Sequence, residues 1–135
     1  MTSRVAIALG MTALAAVGLS ACAAKTTDPA AAPNGCTKES LATPAADAAR
    51  AMGADNVYAI DHLECADGWA VTGGLLADKS NPAMGAPRSF VFQQQGQAWM
   101  VQDKAAVCGT NPITTTPPAD ATIPAALFLP GCAAG

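Results

Sequence analysis

The stretch Val57–Leu76, VYAIDHLECADGWAVTGGLL, decides the fold of this chain. Two runs of β-branched, aromatic and aliphatic residues flank Asp67-Gly68, and Asp-Gly is the dipeptide that favours the tight turn of a β-hairpin. The sequence therefore predicts a strand over Val57–Cys65, a turn at Asp67-Gly68 and a second strand over Trp69–Leu76. Strict alternation along the first strand would place one set of side chains on one face of the sheet, namely Val57, Ala59, Asp61, Leu63 and Cys65. The other face would carry Tyr58, Ile60, His62 and Glu64.

A second hairpin follows along the chain. Arg88–Gln94 and Ala98–Gln102 are strand-like runs on either side of Gln95-Gly96-Gln97. Alternation puts Phe90 and Phe92 on one face, and it likewise pairs Trp99 with Val101. We expect these aromatic residues to supply the buried side of the sheet and both tryptophans, Trp69 and Trp99, to be mostly buried.

Helices are predicted at both ends of the domain. Thr43 before Pro44 has the pattern of an N-cap and a first-turn proline, which predicts a helix over Ala45–Met52 that Gly53 ends. A helical turn that begins at Thr37 and is interrupted at Pro44 is the alternative. Near the carboxyl end, Thr122-Ile123-Pro124 predicts the start of a short helix that runs through Leu129 and is closed by Pro130-Gly131.

These elements predict an α+β domain. It would hold an N-terminal helix, an antiparallel meander of about four strands and a short C-terminal helix. The length of residues 36–135 suits one small core and is too short for two. Only six of the 135 residues are aromatic, so a core this poor in large side chains needs covalent support.

The amino terminus carries an export signal. One positive charge, at Arg4, precedes the uncharged apolar run Val5–Val17, which is too short to span a bilayer comfortably. Leu19-Ser20-Ala21-Cys22 follows and resembles the lipobox of bacterial lipoproteins. That resemblance implies that residues 1–21 are removed and that Cys22 receives acyl chains, which anchor the protein in the cell membrane on its outward-facing side.

The remaining chain begins with a tether, because residues 22–35 hold small residues and prolines without a large apolar side chain. Removing residues 1–21 takes away Arg4 alone, so six basic and ten acidic residues remain and the net charge is −4. An acidic chain without a basic run is not expected to bind nucleic acid. The membrane attachment would therefore come from the lipid on Cys22.

Four cysteines remain after Cys22. An even number of cysteines in an exported chain predicts two disulfide bonds. The sequence contains no CxxC pair of the kind that would indicate a zinc site instead. Four cysteines allow three connectivities. We favour Cys36–Cys65 and Cys108–Cys132 because each closes a moderate loop between neighbouring elements, at a stabilisation of about 3 kcal/mol each.

Few residues offer chemistry. His62 and Glu64 would share a strand face, but one histidine and one carboxylate fall short of a metal site, and a solvent-facing sheet edge explains them better. No serine stands in a Gly-x-Ser-x-Gly elbow. Gly73-Gly74 lacks the lysine of a phosphate-binding loop and indicates a β-bulge. We therefore expect no catalytic residues, no metal and no cofactor.

One wider resemblance rests on residues spread over most of 36–132. They are Cys65-Ala-Asp-Gly-Trp69-Ala70, Phe90-Val-Phe92, Gly96, Trp99, Cys108, Pro124 and Cys132. The arrangement resembles small secreted or lipid-anchored proteins of actinobacteria, including mycobacteria and streptomycetes. The resemblance implies a disulfide-stapled domain of the cell envelope, in a family that carries no assigned activity.

Two functions compete on this evidence. One is a non-catalytic, protein-interaction or accessory module that binds an envelope protein through an exposed loop, with Pro82, Met84 and Pro87 as its residues. The alternative is a binder or carrier of a small apolar ligand. It is less favoured, because it needs a cavity of several hundred cubic ångströms, which a domain this small can scarcely enclose. An enzyme comes third, since it would require His62 to meet carboxylates or a serine from a distant segment.

Overall fold

The computed structural model describes residues 35–112 and 115–133. The predicted signal peptide, Cys22 and nearly all of the tether lie outside these residues. The order of elements confirms the α+β prediction, with a helix, a four-stranded antiparallel meander and short helices at the carboxyl end. The elements are α1 (Lys38–Met52), β1 (Asn56–Ala66), β2 (Trp69–Asp78), β3 (Ala86–Gln95), β4 (Ala98–Gln102), α2 (Lys104–Val107) and α3 (Ala125–Phe128).

Helix α1 begins earlier than its proline suggests. The Thr37 hydroxyl accepts a hydrogen bond from the Ser40 amide, and the Ser40 hydroxyl accepts one from the Thr37 amide, which completes a capping box. The prediction of an N-cap at Thr43 was therefore wrong, and the earlier start at Thr37 is correct. Pro44 lies inside the continuous helix, where it removes one amide donor from the helix but does not end it.

The first hairpin is confirmed at its turn. Asp67 and Gly68 both have positive φ, 50° and 78°, as a two-residue turn between twisted strands requires. Ala66 and Trp69 pair directly across it. Because this turn chemistry is local, the sequence was sufficient to predict it.

The predicted alternation along β1 was wrong beyond Ile60. Ile60 pairs with Gly74 but His62 pairs with Gly73, so Asp61 is an extra residue in β1, a β-bulge. The bulge shifts the alternation by one residue and lies opposite Gly73-Gly74, whereas we had expected it within the glycine pair. As a result, one face of β1 carries Tyr58, Ile60, Leu63 and Cys65, and the other carries Val57, Ala59, His62, Glu64 and Ala66.

The sheet is covered on both faces, which explains why β2 is buried from Trp69 to Gly74. Helix α1 covers one face, where its buried residues meet the side chains Ala70, Phe90, Phe92 and Trp99. The C-terminal segment covers part of the other face through Val107, Cys108, Ile123, Leu127 and Phe128, which pack on Trp69, Val71 and Val91. The predicted burial of both tryptophans is confirmed.

Both predicted disulfide bonds are present. Cys36, just before α1, is bonded to Cys65 in β1, with Cα atoms 6.3 Å apart. Cys108, at the end of α2, is bonded to Cys132, with Cα atoms 5.6 Å apart. The C-terminal helix differs in detail from the prediction, because α3 passes directly into a π-helical turn over Leu129–Ala133 that includes Pro130-Gly131.

Candidate functional site

The only histidine of the sequence, His62, lies on the exposed surface of strand β1. His62 and Glu64 share a face of β1, as predicted, and both are exposed. The His62 ring lies over Gly73, where a Cβ atom would be 2.3 Å from its Nε2. Within residues 35–112 and 115–133, no group of three or more histidine, cysteine, aspartate or glutamate side chains is placed to hold a metal ion.

The three residues of the predicted interaction loop lie on two different elements. Pro82 and Met84 form a single 3₁₀ turn, and Met84 is 78% exposed at its end. Pro87, in contrast, belongs to strand β3 and pairs with Leu75. The loop is thus shorter than we expected, because pairing with β2 draws Ala86 and Pro87 into the sheet.

A groove lies between the carboxyl half of α1 and the edge of the sheet. Its volume is about 780 Å³ and it is open to solvent. It forms because β4 pairs with β3 only from Val91 to Gln95, so the Arg88–Phe90 part of β3 extends past the end of β4. Its lining residues are Ala48, Ala51, Met52, Arg88, Ser89, Phe90, Val91, Val101, Gln102, Asp103 and Lys104.

Apolar side chains form the walls of the groove. Ala48, Ala51 and Met52 stand on α1, and Phe90 and Val101 face them from the sheet. Val101 is 48% exposed, although it shares the sheet face of buried Trp99. We had grouped Val101 with the buried side of the sheet, and its exposure follows from its position beside the open groove.

Two cations also line the groove. The Lys104 ammonium group donates a hydrogen bond to the Ser89 hydroxyl at 2.5 Å, and a guanidinium nitrogen of Arg88 lies 4.0 Å from the Met52 sulfur. Burial lowers the pKa of Lys104 from its ordinary value, and the charge of Arg88 lowers it further. The positive charges of Arg88 and Lys104 are therefore close enough to repel each other.

Neither cation is neutralised by the described part of the chain. Its two salt bridges are Arg50–Asp47 and Lys79–Asp55, and Lys38 donates instead to the Asp61 carbonyl oxygen. The only acidic residue of the groove, Asp103, accepts a hydrogen bond from the Ala105 amide and so caps α2. Arg88 and Lys104 thus leave a positive region on an acidic protein.

Tyr58 fixes the position of β3 beside this region. Its hydroxyl lies 3.3 Å from the Thr72 hydroxyl and donates to the Arg88 carbonyl oxygen at 3.0 Å. Burial raises the pKa of the Tyr58 hydroxyl, so the group remains a neutral donor at physiological pH. Its ring meets Phe90 edge to face, with centroids 4.9 Å apart.

Comparisons with protein families, with curated proteins and with solved structures found no match to this chain. The groove is therefore interpreted from its own residues. Sequence reasoning missed all of its charged residues, because Arg88 and Lys104 are isolated in the sequence and only the end of β4 brings them together. The sequence does contain one signal for the position of the groove. Asp103 is a residue type that favours a helix N-cap, and a cap directly after a strand predicts that β4 ends there.

None of the helices in the described part of the chain is long and apolar enough to cross a bilayer.

Proposed function

We propose that this chain is a lipid-anchored, outward-facing, non-catalytic binding protein of the cell envelope, and that the groove between α1 and the sheet binds a small ligand with an apolar portion. The lipobox at Leu19–Cys22 supports the anchor and the location. The resemblance to envelope proteins of actinobacteria, which stays a prediction, implies the same location. The observation that carries the binding function is the groove itself.

The dimensions of the groove favour a small ligand over a protein. Its volume of about 780 Å³ lies within the range of roughly 300–1,000 Å³ that is typical of small-molecule sites. Eleven residues line it, whereas a stable protein–protein interface uses about 20–30 residues on each side. The core beneath the groove is filled by residues such as Phe92 and Leu41, so the ligand would lie in the open groove and not in an enclosed cavity.

The polar groups of the groove also favour binding over catalysis. Two of them are cations, and the one carboxylate, Asp103, is engaged as a helix cap. Such a set attracts an anion but offers no paired acid and base for proton transfer.

Val101→Glu should abolish ligand binding, because a carboxylate would enter the apolar wall of the groove and would have to lose water when a ligand binds. The measurement is native mass spectrometry of the mature protein, gently extracted from the membranes of its host. The unchanged protein should carry a non-peptide mass that the variant lacks.

Met100→Glu is the matched control. Met100 adjoins Val101 in β4, is 46% exposed, and is not among the residues that line the groove. It should keep the bound mass. Equal loss in both variants, or a bare unchanged protein, would contradict the proposed site.

A second candidate function rests on Met84. A methionine that is 78% exposed at a 3₁₀ turn is typical of an adaptable contact with a protein. In the same extraction, a co-purifying protein that is lost on Met84→Ser and kept on Val101→Glu would support this protein-interaction module. Retention of that protein by Met84→Ser would exclude it.

Cys22→Ala should remove the protein from the membrane fraction, because without the thiol no acyl chain can be attached and an acidic domain has little electrostatic attraction to anionic lipid. Incorporation of labelled fatty acid and fractionation of the host cells measure this directly. The variant should be uncleaved or soluble, whereas Ala23→Ser should behave as the unchanged protein. Unaltered membrane partitioning of Cys22→Ala would rule out the lipid anchor.

A further inference from the structure

We propose that the groove selects an alkyl monocarboxylate, with its headgroup held by Arg88 and Lys104 and its hydrocarbon chain lying against α1. This inference rests on the proposed binding function and adds to it the chemical class of the ligand. It is carried by the position, in an apolar groove, of two cations that form no salt bridge with the part of the chain that the structure describes.

Charge distribution supports an anionic headgroup. The chain after Cys22 has ten acidic and six basic residues, so a cation on its surface has many carboxylates available. Within residues 35–112 and 115–133, Arg50 and Lys79 pair with carboxylates, whereas Arg88 and Lys104 form no salt bridge. These two unpaired cations line the same groove. Two like charges held close together, one of them half-buried, repel each other unless an anion compensates them.

The geometry of the donors fits a carboxylate. Arginine presents a planar fork that matches the two oxygens of a carboxylate, and the lysine ammonium retains donors beyond the one that Ser89 accepts. Asp103 lies at the same groove. Its carboxylate offsets one of the two cations and leaves a net charge of about +1 on the lining, which a single carboxylate neutralises.

The apolar walls fit a hydrocarbon chain. Met52 and Val101 expose nearly half of their surface, 47% and 48%, beside Ala51 and Phe90. Methylene groups that cover these side chains leave water together with them, and each buried methylene raises the affinity about fourfold. A ligand should therefore bind more tightly as its chain lengthens, until it fills the groove.

The experiment is a calorimetric titration of the mature chain, residues 22–135, with Cys22→Ser so that no detergent is needed. The protein is first stripped of bound lipid on a hydrophobic resin. Decanoate, decanol, hexanoate and decyl phosphate are compared below their aggregation limits. Decanoate should bind at least tenfold more tightly than decanol, because a charge-assisted hydrogen bond contributes about that factor. Hexanoate, which lacks four of the methylene groups, should bind about two hundredfold more weakly than decanoate.

Variants assign the headgroup site. Lys104→Gln and Arg88→Gln should each lower the affinity for decanoate about tenfold and leave that for decanol unchanged. Lys79→Gln, which removes a cation already paired with Asp55, should change neither affinity. Circular dichroism shows whether each variant is folded, and Lys104→Gln serves if Arg88→Gln is not.

The remaining outcomes separate the inference from the function on which it rests. Equal affinity for decanoate and decanol would overturn the choice of an anion while the groove still binds an apolar ligand. Tighter binding of decyl phosphate than of decanoate would overturn the choice of a carboxylate. Binding of none of the four compounds would contradict both the inference and the proposed small-ligand site.

Discussion

Replacing Cys108 and Cys132 together with alanine should lower the free energy of unfolding by about 5 kcal/mol, whereas the Cys36/Cys65 double variant should lower it by about 3.5 kcal/mol. The two bonds close loops of similar length, with sequence separations of 24 and 29 residues. Restriction of the unfolded chain therefore contributes about 3.5 kcal/mol in each case. The expected difference must come from the folded state.

The Cys108–Cys132 bond holds a segment with little regular structure of its own. Helices α2 and α3 have four residues each, far below the length at which a helix is stable alone. Cys108 is 1% exposed and packs in the cluster that covers Val71 and Val91. Its loss removes buried sulfur atoms and frees the segment to leave the sheet, at an added cost of about 1–2 kcal/mol.

Urea denaturation of the two double variants tests this difference. A domain of this size has a total stability of about 5–15 kcal/mol, so a loss of about 5 kcal/mol leaves the Cys108/Cys132 variant half unfolded at 25 °C at the lower end of that range. Its near-ultraviolet circular dichroism should report the change through Trp69, which lies in the same cluster. Equal losses would mean that the C-terminal segment stays in place through packing alone, contrary to this account.

Sequence patterns predicted those parts of the fold that depend on neighbouring residues. Asp67-Gly68 specifies its turn locally, and the alternation around Gln95–Gln97 specifies the second hairpin. The cysteine pairs followed from loop length. The start of α1 was mispredicted because Thr43-Pro44 and Thr37 both resemble a cap, and only the Ser40 side chain, which completes the capping box, decides between them.

Features that depend on distant residues could not be predicted in this way. The bulge at Asp61 depends on the registration of β1 against Gly73-Gly74 across the turn. The groove depends on α1 lying opposite the point where β4 ends. This arrangement brings Met52 near Val101 and Lys104, although the two segments are some 50 residues apart in the sequence. No local sequence pattern in either segment predicts that the two lie together.

Gly74→Ala should lower the free energy of unfolding by about 3 kcal/mol or more. A Cβ atom at Gly74 would lie 1.9 Å from the Ala59 carbonyl oxygen and 2.9 Å from its carbonyl carbon. Both are backbone atoms of the neighbouring strand, so no side-chain rotation relieves the overlap. Strand β2 is covered on both faces and cannot move away, and β1 would have to separate from it beside the bulge. Thermal and urea unfolding give the loss.

Gly73→Ala is the matched control, since the same methyl group is added one residue earlier in the same strand. Its Cβ would meet the His62 ring, at 2.3 Å from Nε2, but His62 is exposed and can adopt another rotamer at a cost of about 1 kcal/mol. His62→Ala should restore most of the stability of Gly73→Ala and none of that of Gly74→Ala. If both glycine variants instead lost equal stability, or if His62→Ala rescued both, the close approach of Gly74 to the β1 backbone would not be the constraint that keeps this position a glycine.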